Sequence, residues 1–423
     1  MIKFLLKGIL RDRSRSLLPI IVVSLGVFLT IVMSAWMKGI FTDMINMNAN
    51  FTTGHVKVMT RAYAENVNQM PLDLALLDID ELIQNLENDY PNMDWVPRIN
   101  FGGLLDVPDE NGETRAQGPA AGKAIDFFHN PEEVERMNIL KSLVKGNIPQ
   151  KPGEAIISYE FAKKFGVKLG EKVTLFGSTM NGSMLFKTFT VCGTIRFGMT
   201  MLDRGAILVD ISDAQLALDM ENGSTEILGY LNDGIYDKEK VDAIADSFNS
   251  KYSKANDEFS PQMHKLEEQS GLGDYLRMAD NMIGMMITFF VIAMSIVLWN
   301  TGLLGGLRRY TEYGVRLALG EEKGHIYKTM IYEAILIGII GSIIGTILGL
   351  GMAYYLQEVG LDFSEMTRTV SMMLPTVYRA TIFPKLFYIG FIPGLIAMVS
   401  GNALAGFAIY KRKTAKLFKE LEV

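Results

Sequence analysis

Four windows of the chain, residues 16–37, 281–307, 334–357 and 386–410, contain no Asp, Glu, Lys or Arg. A helix rises about 1.5 Å per residue and the bilayer's hydrocarbon core is about 30 Å thick, so about 20 apolar residues cross it. All four windows are long enough, and buried helices of soluble proteins seldom run so far without a charge. The pattern predicts four transmembrane helices. The first window follows a basic start, as a signal peptide does. Its apolar run exceeds the roughly 7–15 residues of a signal core, so it reads as an uncleaved span.

Between the first two windows the period shortens. "GHVKVMT", "WVPRINFGGLLDV", "AQGPAAGKAIDF", "EKVTLFG", "LFKTFTVCGTIRF", "GAILVD" and "TEILGYL" read as strands, with "GEAIISYEFAKKFGV" placed among them. "DIDELIQNLEND" reads as a helix that Asp78 or Asp80 can cap, and "NPEEVERMNIL" as one with Pro131 at its first position. "SDAQLALDM" and "DKEKVDAIADSFNSKY" are also helical, and "STMNGS" is a hairpin loop in which Asn181 and Gly182 supply positive φ. "PQMHKLEEQSGLGDYLRMADNM" reads as a helix feeding span two, as "KGIFTDMINMNANF" continues span one. The expectation is a four-span membrane protein with a large α+β extracytoplasmic domain between spans one and two, carried on two stalks.

Charge orients the spans. Lys3, Lys7, Arg11, Arg13 and Arg15 precede span one, and Lys411, Arg412, Lys413, Lys416 and Lys419 follow span four. Arg308, Arg309, Arg316, Lys323 and Lys328 lie between spans two and three. The positive-inside rule puts all three segments in the cytoplasm. Residues 38–280, with 37 acidic and 23 basic residues, then lie outside. The expected organisation is 1–16, an amphipathic cytoplasmic helix; 17–37, span one; 38–280, the outer domain with its stalks; 281–307, span two; 308–333, a cytoplasmic connecting region; 334–357, span three; 358–385, an outer loop; 386–410, span four; and 411–423, a cytoplasmic tail.

Catalytic chemistry is not apparent. His55, His129, His264 and His325 share no short motif, and Cys192, the single cysteine, sits in an apolar strand pattern as a small core residue. There is no clustered metal-ligand spacing and no Gly-x-Ser-x-Gly elbow. There is also no Gly-x-x-x-x-Gly-Lys-Ser/Thr phosphate loop, so the chain is not expected to hydrolyse ATP alone. "NFT" at Asn50 and "NGS" at Asn181 and Asn222 match the glycosylation pattern, the latter two more simply as turns. The basic residues hug the spans, which gives no case for nucleic acid.

Two constellations carry information. In "GIIGSIIGTILGLG", Gly341, Gly345 and Gly349 share one helical face, a spacing that lets another span approach closely, in this chain or a second subunit. "RRYTEYGVRLALG", residues 308–320, is longer than a tight turn needs and mixes alternating charges with small residues. It suits a helix docking in a partner's groove.

The run "RRYTEYGVRLALGEEKGHIYKTMIYEAILIGIIGSIIGTILGL" resembles the signature of the FtsX-like permease family. Glu312, Gly314, Arg316, Ala318 and Gly320 match its pattern in place and Glu333 matches a later acid, while Tyr313 replaces the usual Ile. "KPGEAIISYEFAKKFGVKLGEKVTLFG" resembles the MacB-like periplasmic core domain. "GHVKV" and the total length look closest to the lipoprotein-releasing permeases of the LolC and LolE type. The tail "KRKTAKLFKELEV" lacks the family's usual ending, so no role carries over to it.

The resemblance implies a bacterial inner-membrane permease subunit with no cofactor of its own. ATP and Mg would bind a separate ABC ATPase present in two copies. Residues 312–320 would couple to that ATPase, Glu333 would mark the end of the coupling region, and the glycines would pack spans. A second permease chain, identical or homologous, would complete the complex. The cargo would be a lipoprotein, passed to a periplasmic acceptor. The alternatives are MacB-like export of peptides, macrolides or other amphiphiles, and an FtsX-like regulator of cell-wall hydrolases, whose outer domain is usually smaller.

Overall fold

A computed structural model describes residues 13–197, 200–254, 256–269, 272–307, 310–362 and 377–411. The amphipathic segment expected at 1–16 lies almost wholly outside these residues. So do 412–423 and the middle of the loop between spans three and four. The described chain forms two compact units, one of residues 13–43, 277–362 and 377–411, the other of residues 44–276.

The first unit holds four helices long and apolar enough to cross a membrane. Span one belongs to the helix Arg13–Asn48, span two to Leu272–Leu307, span three to Lys323–Glu358, and span four to Phe391–Lys411, which follows a short turn, Leu386–Ile389. Their shared core gathers Val23, Val27 and Ile31 of span one with Leu298, Ile337, Ala353, Ala397 and Met398. The connection between spans two and three is partly helical. Its helix, Tyr310–Ala318, is followed by a turn, and the next helix is under way at Lys323. Glu333 therefore lies inside the helix Lys323–Glu358, which carries span three, and not at the end of the connecting helix Tyr310–Ala318. Nothing between Lys323 and Glu333 breaks a helix, so the acid's match in sequence does not mark a boundary.

The second unit is built on a ten-stranded sheet: β1 Val56–Thr60, β2 Met93–Pro108, β3 Thr114–Ile125, β4 Leu143–Gly146, β5 Glu154–Ser158, β6 Lys172–Ser178, β7 Met184–Ile195, β8 Ala206–Asp210, β9 Glu226–Leu231 and β10 Pro261–Lys265. Strand order is β10-β1-β9-β2-β3-β8-β5-β7-β4, and β6 pairs with both β2 and β7. That double pairing closes β2, β3, β8, β5, β7 and β6 into a cycle. Inside it Phe101, Leu105, Val107, Phe161, Leu175, Phe189, Val191 and Val209 form one core. The open half of the sheet packs Val58, Trp95 and Ile227 on Ile79, Leu86, Val241 and Phe248 of two helices, Ile79–Asp89 and Lys238–Tyr252.

Three local expectations need correction. Residues 261–265 form strand β10 beside β1, not the start of a helix. Met263 lies opposite Val58 and is buried, and Pro261 stands at the strand's first position, where its missing N–H costs no ladder bond. Asp78 occupies the cap position of the Ile79–Asp89 helix but lies at φ 52° and makes no side-chain cap bond; the Asp80 amide donates instead to Asn222 Oδ1 at 3.3 Å. In the 179–183 loop only Gly182 has positive φ, at 76°.

Candidate functional site

The helix Tyr310–Ala318 is pinned by the residue that departs from the family pattern. Tyr313 is 3 % exposed and packs with Ile326, Met330 and Ala405, flanked by Leu303 and Leu317. Gly314 beside it is buried and Glu312 half-buried. The helix ends in a Schellman arrangement: the Glu321 amide donates to the Arg316 carbonyl (3.1 Å) and the Gly320 amide to the Leu317 carbonyl (3.1 Å). Gly320 takes φ 94°, a conformation that favours glycine.

Arg316 folds back across that turn. Its Nε and Nη2 donate to the two oxygens of Glu321 at 2.6 and 2.5 Å. Donating to the Glu321 carboxylate, helped by the nearby charge of Glu312, raises the Arg316 pKa, and accepting from Arg316 lowers that of Glu321. Val315, Ala318 and Leu319, three and four residues apart on one face, are exposed, Leu319 by 83 %. The segment thus offers an apolar ridge held by a buried tyrosine and a locked turn.

The glycines of span three face span one of the same chain. A Cβ on Gly341 would stand 2.8 Å from Val23 Cβ, one on Gly345 2.5 Å from the Ser24 carbonyl oxygen, and one on Gly349 3.0 Å from Ile31 Cβ. Ser24 Oγ also donates to the Gly341 carbonyl at 3.0 Å. The partner left open by the sequence pattern is therefore found within the chain.

Spans one and two also border a cleft of about 340 Å³ lined by Met33, Met37, Met285, Met286, Phe289 and Phe290, with Ser34 its one polar lining residue. It lies toward the ends of the two spans that adjoin the 44–276 region in sequence. Its size is in the range of ligand pockets, and flexible methionines adapt to varied apolar shapes. Sequence reasoning missed it. The signal was a clustering of methionines at 33, 37, 282, 285 and 286.

A buried charge network in the second unit was also missed. Lys57 Nζ lies 2.6 Å and Lys123 Nζ 3.6 Å from the Glu226 carboxylate, and Lys123 donates to Asn100 Oδ1 at 2.6 Å. Arg98, opposite Glu226 in the β2–β9 register, donates through Nε to Glu133 Oε1 at 2.6 Å. Arg136 pairs with both Glu133 and Asp94. Burial alone would raise the Glu226 pKa, but Lys57 and Lys123 outweigh it and hold it at about 2. Burial pushes Lys123 down to about 8, against the pull of Glu226. Among the described residues no group of three or more His, Cys, Asp or Glu is placed to hold a metal. Cys192, half-buried, donates to the Ala155 carbonyl, and burial pushes its thiol up to about 12.

Comparison with known proteins places this architecture. The MacB-like periplasmic core domain model matches residues 16–247, more than half the chain, and the FtsX-like permease C-terminal model matches residues 284–414. Two curated proteins, each a lipoprotein-releasing system transmembrane protein LolC, from Xylella fastidiosa strains 9a5c and Temecula1, are 24 % identical over 263 residues. That match covers 60 % of this chain and 61 % of each relative, less than two thirds of their length. The crystal structure of the periplasmic region of MacB from Actinobacillus actinomycetemcomitans aligns at 10 % identity with a TM-score of 0.36, covering 54 % of this chain and 95 % of that one. Matched by one model over residues 16–247 and by the other over 284–414, the chain belongs to the ABC transporter permease family that joins a MacB-like periplasmic core domain to an FtsX-like permease region.

Proposed function

We propose that the chain is the membrane subunit of an ATP-driven complex that releases lipid-anchored proteins from the outer leaflet of a bacterial inner membrane. Both termini lie in the cytoplasm, where two copies of a separate ATPase bind ATP and Mg. Each ATPase docks on the Val315–Leu319 ridge, and a second permease chain, identical or homologous, completes the assembly. The cleft between spans one and two carries the reading: methionine and phenylalanine walls suit acyl chains and offer a polar solute only the Ser34 hydroxyl. The scarcity of charge within the spans agrees, since a polar pathway through a membrane is normally lined by ionisable groups.

The test is purification of the complex, reconstitution in vesicles and addition of a triacylated lipoprotein with a soluble acceptor. Lipoprotein should stimulate ATP hydrolysis and pass to the acceptor, and Ser34→Trp, which fills the cleft, should abolish both. Stimulation by peptides or macrolides alone would replace this reading with amphiphile export. A cell-wall hydrolase co-purifying without cargo would replace it with a regulatory role.

A further inference from the structure

The helix of span one does not stop at Asn48. It widens into a π-helical turn, Ala49–Thr53, closed by the Gly54 amide donating to the Ala49 carbonyl at 2.8 Å. A helix end leaves carbonyls without partners inside the helix. Here other parts of the outer unit take them. Arg98 donates through Nη2 to the Asn50 carbonyl and through Nη1 to the Phe51 carbonyl, both at 2.7 Å. Tyr230 Oη donates to the Asn50 carbonyl at 3.1 Å, and Gln269 Nε2 to the Thr53 carbonyl at 3.2 Å. Arg98 is wholly buried, and its remaining edge is held by Glu133. A fixed cation at the carbonyl end also opposes the helix dipole.

Beyond this turn the chain enters β1 through Gly54, at φ 61° and ψ −179°, a region open in practice to glycine alone. One glycine between a long helix and a strand is a natural place to bend, since a few such residues absorb the backbone change in domain motions. The guanidinium spans that point. It ties the last helical turn to the middle of β2, while Gln269 ties it to the chain just before the Leu272–Leu307 helix.

We propose that Gly54 is a hinge held shut by Arg98, so that movement of span one is delivered to the sheet of the outer domain and not absorbed by bending. Arg98 is a positioning residue in this role, and the proposal rests on the functional reading above. A lysine at 98 keeps a buried cation for Glu133, but a point charge on a shorter side chain lacks the planar fork by which three separate nitrogens of Arg98 meet the two carbonyls and the carboxylate.

The test compares wild type, Arg98→Lys and the milder Tyr230→Phe as the full chain with its ATPase in vesicles. Amide exchange and lipoprotein released per ATP are both measured. In Arg98→Lys, exchange at residues 50–56 should rise at least tenfold while β2 and β3 amides beyond residue 99 keep their protection. ATP hydrolysis should continue, with release per ATP falling at least fivefold. Tyr230→Phe should shift both readouts in the same direction by a smaller factor, and it decides the matter if Arg98→Lys does not fold. Exchange that rises evenly across the sheet would reduce Arg98 to a stabiliser of the domain and overturn the proposal. So would unchanged release per ATP with loosened 50–56 amides. A wild-type complex that releases nothing would refute the functional reading alone, because the exchange contrast needs no cargo.

Discussion

Arg316 and Glu321 are joined by two hydrogen bonds, at 2.6 and 2.5 Å, across the left-handed turn at Gly320. The pair sets where the connecting helix ends and how span three begins. Glu321→Ala should leave the helix end loose and lower cargo released per ATP about tenfold, with membrane insertion unchanged. Arg316→Lys should behave alike, because an ammonium cannot reproduce the two-bond geometry. The stability cost should stay near 0.2–1 kcal/mol, as for other solvent-accessible pairs. Release and hydrolysis measured on the same vesicles check this, and wild-type coupling in both variants would refute it.

Leu319 should matter more for assembly than either member of that pair. Exposed as it is beside Val315, Leu319→Asp is expected to weaken ATPase binding at least tenfold, and Leu319→Met to leave it within a few-fold. Titrating detergent-purified chain with the ATPase separates the two outcomes.

The glycine contact makes a paired prediction. At Gly345 a methyl group would meet the Ser24 carbonyl, whereas at Gly351 it would meet nothing within 4 Å. Gly345→Ala should cost about 1–3 kcal/mol through overpacking, and Gly351→Ala should be neutral or slightly stabilising. Unfolding midpoints in one detergent provide the comparison.

Acid should loosen the outer unit through Glu226. Its folded pKa, about 2, lies below the ordinary 4.5. The charged form therefore contributes stability that is complete above about pH 4.5 and is lost as pH falls through about 2. Glu226→Gln should erase that dependence and cost about 3–5 kcal/mol at neutral pH by leaving Lys57 without its buried partner. Fluorescence of Trp95, buried against the same half of the sheet, reports the transition.

Much of this architecture was legible because its causes are local. A run without charge must leave water, and alternation marks a strand with one buried face. The 261–265 strand was misread because "PQMHK" is polar and precedes a long helical pattern, while its β structure comes from pairing with residues 56–60. The face of the glycine ladder was legible, but its partner was not, since four-residue spacing says nothing of what lies opposite. Lys57, Arg98, Lys123 and Glu226 look in sequence like strand residues facing solvent. Only the register that sets Glu226 against Arg98 and Asn100 against Lys123 brings them together. The faint signal was a charge inside apolar runs, as in "HVKVM" and "TEILGY". Along the Tyr310–Ala318 helix the matched positions were visible, but the turn of Arg316 back onto Glu321 was not, because Glu321 is not among those positions.

The double pairing of β6 has a consequence for what can stick to this protein. A sheet edge offers free amides and carbonyls on which a passing extended chain can template itself. Within the six-strand cycle each strand has a neighbour on both sides along part of its length. The sheet's free ends are β10, five residues beginning with proline, and β4, four residues long. Ends this short, one of them opened by proline, are poor templates, so a polypeptide meeting this domain is better recognised by side chains than zipped on as an eleventh strand.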